Sequence, residues 1–310
     1  MHDDLIRTRH DWNNAREACA ADPGTFHGKI AATAIHWFLP DHGERGAWVT
    51  KDSKSGQWSG FDASTLEAVT PDFDDAFTPW KRAYNDDTPP FFKWFEGGLT
   101  NAGFNEIDRH VLSGHGAETA LIFEGDRWDG SLNDARGGPV DAYSISRKTL
   151  MLEVVKRSAA LTKLGVKAGD RIALNMPNIP AQIYWIEAAK RIGAPYTPVF
   201  GGFSDKTLSD RIDDFGAKVV ITSDGGHRNA QVTPFKTAFT DPALDNYLST
   251  TVARNLVSQA LEKLDISKTE AAAIRDEVDA SISGDITVER SDIMRGVGRA
   301  IAELSMAPAE

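Results

Sequence analysis

Two glycine pairs mark where the residue types of this chain could do chemistry. Gly201-Gly202 lies within Phe200-Gly201-Gly202-Phe203-Ser204, and Gly225-Gly226 lies within Asp224-Gly225-Gly226-His227-Arg228. Glycine lets main-chain N–H groups approach a ligand, and a helix that starts just beyond favours an anion at its amino end. The glycines serve equally well as plain turns, since no phosphate-loop pattern with its lysine accompanies them. Arg228 either grips a phosphate with its forked guanidinium or pairs with a nearby carboxylate.

Other catalytic signatures are missing. The eight histidines are scattered, with no His-Glu-x-x-His, and there is no Gly-x-Ser-x-Gly elbow and no Gly-x-Gly-x-x-Gly fingerprint, which weakens a dinucleotide oxidoreductase reading. No metal site is expected. The single cysteine, Cys19, excludes an internal disulfide and, with no partner visible in the sequence, reads as an ordinary helix residue. His110 reads as a packed or surface histidine. A formal charge of −11 argues against a nucleic-acid partner. No apolar run reaches membrane-spanning length, and Met1-His2-Asp3-Asp4 is not the start of a secretory signal. The expectation is a cytoplasmic protein without a membrane partner.

The elements that must position the glycines are legible from periodicity. Arg171–Met176 is a short apolar run ending at Pro177, hence a buried strand. Ile183, Ile186, Ala189 and Ile192 recur at helical spacing before Gly193. Tyr196–Phe200 is the next strand, with Pro198 favouring a strand end or sheet edge. Ser204 is placed to cap a helix with Leu208, Ile212 and Phe215 inward, closed by Gly216, and Lys218–Thr222 is the third strand. This alternation predicts an α/β fold, a parallel sheet covered by helices, with ligands beyond the carboxyl ends of its strands.

Upstream, helices are expected near residues 1–20, Gly28–Ala34 and Leu99–Val111, a strand at Thr119–Glu124, a loop over Gly125–Pro139, and a long helix over Ser146–Leu164. Residues 39–95 read as irregular, and the domain division expected is 1–95 as an amino-terminal extension packed on the core, 96–240 as the α/β subdomain and 241–310 as a helical insertion or tail. That tail shows three apolar stripes: Val252, Leu256, Ala260 and Leu264; Ala271, Ile274, Val278 and Ile282; and Ile293, Val297, Ala300, Ile301 and Leu304.

Residues 91–238 resemble the AMP-forming acyl-CoA synthetases of the acetyl-/propionyl-CoA synthetase group. The likeness is carried by Lys93-Trp94-Phe95-Glu96-Gly97-Gly98, Leu99-Thr100-Asn101-Ala102, Asp108-Arg109-His110, Lys167-Ala168-Gly169-Asp170-Arg171, Met176-Pro177-Asn178-Ile179-Pro180, Arg191-Ile192-Gly193-Ala194, Val199-Phe200-Gly201-Gly202-Phe203-Ser204 and Val220-Ile221-Thr222-Ser223-Asp224. Within that group the chain is similar to the synthetase portion of the trifunctional propionyl-CoA synthases. These join a ligase, an enoyl-CoA hydratase and an NADPH-dependent reductase, and turn 3-hydroxypropionate into propionyl-CoA.

The resemblance implies the amino-terminal part of an acyl-adenylate-forming synthetase fold. It implies a short-chain carboxylic acid (acetate, propionate or 3-hydroxypropionate) that forms an acyl adenylate with ATP, after which the thiol of coenzyme A displaces AMP. The implied cofactors are coenzyme A, ATP and Mg2+, with NADPH only where a reductase is fused. The implied partners are the remaining synthetase residues and hydratase and reductase domains. Coenzyme A is expected against Phe200, Gly201 and Gly202, and its 3′-phosphate at Arg228, Asn229, Ala230 and Gln231. Gln231 stands where the family has a second basic residue. The loop of the form Tyr-Thr-Ser-Gly-Thr-Thr-Gly-Lys-Pro-Lys, the Mg2+-holding acidic motif and the late catalytic lysine occur nowhere in the chain. No catalytic residue is therefore assigned. The expectation is the front part of a longer ligase, inactive alone; the alternative is a non-catalytic coenzyme A-binding or docking module.

Overall fold

The first helix is opened by reciprocal hydrogen bonds. Thr8 Oγ1 accepts from the Asp11 N–H at 3.1 Å while the Asp11 carboxylate accepts from the Thr8 N–H at 2.8 Å. The computed structural model describes residues 6–41, 46–200, 205–223, 225–228 and 231–235. The chain divides into two compact units, Met1–Asn105 and Glu106–Glu310. The division falls at 105, where the sequence reading put it at 95.

In the first unit, α1 (Arg9–Ala21) is followed by α2 (Pro23–Ala34), which starts where Asp22 accepts from the Thr25 N–H. Cys19 on α1 is not partnerless, because its Sγ lies 3.4 Å from His27 Nε2 on α2. Residues 39–95, expected to be irregular, instead carry most of a sheet. β1 (Trp37–Leu39), β2 (Ala47–Lys51), β3 (Trp58–Asp62) and β4 (Ala68–Val69) form an antiparallel meander in that order, and β5 (Arg82–Asn85) pairs with β6 (Lys93–Glu96). The unit has its own core of Trp37, Trp58, Trp80, Ala31, Ala47 and Val49. Trp37, Trp58 and Trp80 pin these segments to a sheet built from the segments themselves.

In the second unit the stretch expected as a plain helix contains two wide turns of π type, Phe104–Asp108 and Val111–His115. β7 (Thr119–Glu124) pairs antiparallel with β10 (Ala142–Ser146). Between them the expected loop holds a short ladder of β8 (Trp128–Asp129) with β9 (Gly138–Pro139) and one turn, α3 (Leu132–Ala135). α4 (Arg147–Lys163) begins at Ser146, whose hydroxyl accepts from the Thr149 N–H, and buries Leu150, Val154 and Leu161. Arg157 stacks over Tyr184 and Trp185 and donates to Glu153, tying α4 to α5 (Pro180–Arg191).

The parallel sheet stands as expected. β11 (Ile172–Met176) is central, β12 (Tyr196–Phe200) lies on one side and β13 (Val219–Thr222) on the other, all parallel. β12 is an outer strand of these three, as Pro198 demands. The chain steps outward from β11 to β12, then back past β11 to β13. Right-handed crossovers in opposite directions put α5 on one face and α6 (Asp205–Phe215) on the other. Ala173, Val199, Leu208, Ile212 and Ala217 pack together on the α6 side. A hairpin of β14 (Gly225–Arg228) and β15 (Gln231–Pro234) follows. The helical tail over 241–310 lies outside the described residues. Among the described residues no helix is long and apolar enough to cross a membrane.

Candidate functional site

The three parallel strands end nearly level. Met176 is the register partner of Phe200, and Asn175 partners both Val199 and Thr222. The side chains of one sheet face alternate, so Ala173 and Asn175 share the α6 side. The strand order β12-β11-β13 reverses between β11 and β13, which is the topological switch point where open α/β sheets take their ligands. Asn175 and Thr222 sit there, at the carboxyl ends of the two strands concerned. Thr222 Oγ1 donates to the Asn175 main-chain carbonyl at 2.9 Å and stitches the strand ends together.

Of the residues expected to hold coenzyme A, Phe200 closes β12 level with Met176. Gly201, Gly202, Asn229 and Ala230 lie outside the described residues. Arg228 and Gln231 face one another as register partners at the end of the β14–β15 hairpin. Arg228 was expected in a loop just past the third strand, and the correction is that it ends a strand of its own. The hairpin belongs to this edge of the sheet: a Cβ on Gly226 would lie 2.7 Å from Pro177 Cβ, and Pro177 directly follows β11. Gly226 therefore has a packing reason to be glycine, and its main chain is not left bare for a ligand by that criterion.

Two stretches that carry the family likeness meet inside the second unit. Arg191 donates to the Asp108 carboxylate at 2.5 Å across 83 residues of sequence, and both side chains are at most 2% exposed. Burial raises the Asp108 pKa against the opposing pull of Arg191. Two residues along, burial and then Arg109 and Arg147 push the His110 pKa below its ordinary value. Lys190 is shared between Glu106 at 2.6 Å and Glu187 at 2.7 Å. These groups fasten the π turns to the end of α5; they serve the scaffold. Among the described residues no three His, Cys, Asp or Glu side chains converge to hold a metal ion.

Sequence reasoning missed the Asp108–Arg191 pair, which left no signal, because nothing local links positions so far apart.

The family model for AMP-binding enzymes matches residues 112–292. The match runs past residue 241, into the stretch expected to be a helical insertion or tail. Among curated proteins, the acetyl-coenzyme A synthetase of Streptomyces avermitilis is 43% identical over 161 residues, covering 52% of this chain and 22% of that protein. That of Gemmatimonas aurantiaca is 40% identical over 195 residues, covering 62% and 27%. That of Campylobacter jejuni subsp. jejuni is 41% identical over 173 residues, covering 56% and 24%. The chain spans about a quarter of the length of these relatives. With a family match across more than half its residues and a parallel sheet to carry it, the chain belongs to the AMP-binding enzymes.

Proposed function

We propose that this chain is the amino-terminal part of an AMP-forming short-chain acyl-CoA synthetase, and that it contributes the seat for coenzyme A. The observation that carries this reading is the switch point between β11 and β13, next to the strand that delivers Phe200 to the double-glycine corner. Main-chain amides at Gly201 and Gly202 receive the nucleotide end, with Phe200 beside them. Arg228, with Asn229, Ala230 and Gln231, holds the 3′-phosphate. One arginine, the register partner of Gln231, supplies one charge where the family has two, so phosphate capture is weaker than with a pair.

The residues for adenylation are not among these 310. ATP and Mg2+ are held outside this chain, and no step is assigned to its own side chains. Its work is to bind and orient the thiol-bearing cofactor, so the chain alone gives no ATP–pyrophosphate exchange with acetate, propionate or 3-hydroxypropionate. The likeness to the synthetase portion of trifunctional propionyl-CoA synthase makes 3-hydroxypropionate the proposed acid, with hydratase and reductase domains, and NADPH, elsewhere in that enzyme. The docking-module alternative predicts a natural polypeptide that ends without a phosphate loop. A natural mass far above 33.8 kDa, with that loop beyond residue 310, decides for the ligase.

The binding claim is tested by calorimetric titration of coenzyme A into the chain. Arg228→Ala is expected to weaken binding about tenfold, the loss of one charge-assisted hydrogen bond. An unchanged affinity removes Arg228 from the site.

A further inference from the structure

We infer that the first unit carries a small-molecule site of its own, a cleft that takes an aromatic anion: a flat ring system bearing a carboxylate, sulfonate or phosphate. The cleft has a volume of about 840 Å3 and is lined wholly by residues between Gly24 and Ala83, from α2, the corner joining β2 to β3, and the stretch 75–78. Pockets for small molecules run from about 300 to 1,000 Å3. None of its lining residues is among those assigned to coenzyme A. Its walls are aromatic: Trp58 and Trp80 are 4% and 8% exposed, and half-buried Phe77 meets Trp58 edge-on at 5.2 Å. Rings in such walls favour a ligand ring laid flat or edge-on against them.

Two donors in that wall are unused. Lys51 closes β2 as the register partner of Trp58 on β3, with its ammonium 5.9 Å from the ring centroid. Lys51 is half-buried, and among the described residues its ammonium makes no ion pair and donates no hydrogen bond. The indole N–H of Trp58 is buried and likewise meets no acceptor. A buried donor left without an acceptor is costly, and native interiors hold few of them unless something else satisfies them. Directly opposed residues of an antiparallel pair share one face of the sheet, so a single bound anion can answer both the charge of Lys51 and the N–H of Trp58. The carboxylates of the lining do not cancel that charge. Asp52 already accepts from the main chain of Lys54 and Ser55 and from the Ser55 hydroxyl. Asp75 is exposed, as is Lys29 on the α2 side, and water screens both. Lys51 is thus the sheltered charge without a match, and it selects an anion while the rings select a flat apolar body.

The test titrates the full chain with anilinonaphthalene sulfonate and, in parallel, with phenylnaphthylamine, the same rings without the sulfonate. Lys51→Met keeps the aliphatic stem and removes the charge. It is expected to weaken the sulfonate about tenfold and to leave the neutral probe unchanged. Lys51→Arg should retain sulfonate binding, and Lys54→Met, in the same turn but outside the cleft lining, should change neither probe. In the parent, added salt should weaken the sulfonate and spare the neutral probe, a readout that needs no variant to fold. A parent chain that does not bind the sulfonate overturns the site, and so does a sulfonate affinity that is unchanged in Lys51→Met or falls equally for both probes. A sulfonate that binds this chain but not the longer natural polypeptide shows the cleft covered by another part of the enzyme, and overturns the assignment as well. The coenzyme A reading stands or falls separately, on Arg228.

Discussion

The two units bury their apolar surface by different means. In the first, a four-stranded antiparallel meander with strands of two to five residues is held by rings: Trp37 meets Trp80 edge-on at 5.0 Å, and Trp48 stacks on Phe104 at 4.1 Å. In the second, strands and helices of regular length are held by aliphatic side chains such as Leu161, Ile172, Leu174 and Ile212. An aromatic core fills its space with few, large pieces, each of which needs main chain to come close around it. An aliphatic core spreads the same task over many interchangeable pieces. The first unit should therefore be brittle at single backbone positions, and the second at the few places where it buries charge.

The largest expected effect probes the second unit. Asp108→Ala removes the carboxylate that Arg191 meets in the interior and should cost about 3–5 kcal/mol in urea unfolding. Replacing both, Asp108→Leu with Arg191→Met, should return most of that loss, because two desolvated charges are exchanged for packing. A single variant within 1 kcal/mol of the parent would show that the ion pair is not what this unit depends on.

Next in size is a backbone test of the first unit. Gly60 on β3 faces Val49 of β2 in the ladder, and a Cβ there would overlap the Trp48 carbonyl oxygen. The obstacle is main chain and cannot rotate away. Gly60→Ala should thus cost about 3 kcal/mol by forcing the strands apart, at the upper end of overpacking penalties. Tryptophan emission reads it well, since Trp12, Trp37, Trp48, Trp58, Trp80 and Trp94 all precede residue 106. An unchanged unfolding midpoint would break the contrast between a brittle and a tolerant core.

The same contrast governs what the sequence discloses. The second unit was legible because its helices repeat aliphatic residues at a fixed period and stop at Gly193 and Gly216, while its central strand stops at Pro177. Each element is long enough to show its own rhythm. β4 has two residues, too few for alternation to register, and in β3 Trp, Gly and Asp read individually as loop formers. A signal was nevertheless present at the turns. Asp52 accepts from the main chain of Lys54 and Ser55, and Asp62 does the same for Ser64 and Thr65. Asp followed by serine two or three residues on marks both hairpin corners. Around the candidate site, the strand ends followed from apolar runs, while the β14–β15 hairpin did not, because Gly225-Gly226 looks like a turn until Pro177 is seen packed against it.

Those turns supply the smallest effect and a check on where first-unit stability resides. The Asp62 carboxylate accepts from Ser64 Oγ at 2.6 Å and from the main-chain N–H groups of Ser64 and Thr65, which lowers its pKa from 3.8 to about 2. A carboxyl held lower in the folded chain than in the unfolded one stabilises the fold above pH 3.8 and loses that contribution as pH falls towards 2. In this window the unfolded chain binds the proton first, so acid pulls towards unfolding. Asp62→Asn cannot titrate, and its urea midpoint should fall less between pH 5 and pH 2 than that of the parent. The difference between the two proteins should be greatest above pH 4 and should narrow on acidification. Curves that stay parallel through the acid range would mean that the turn is held by its main chain and that the charge on Asp62 adds nothing, which would leave the aromatic core as the sole source of strength in this meander.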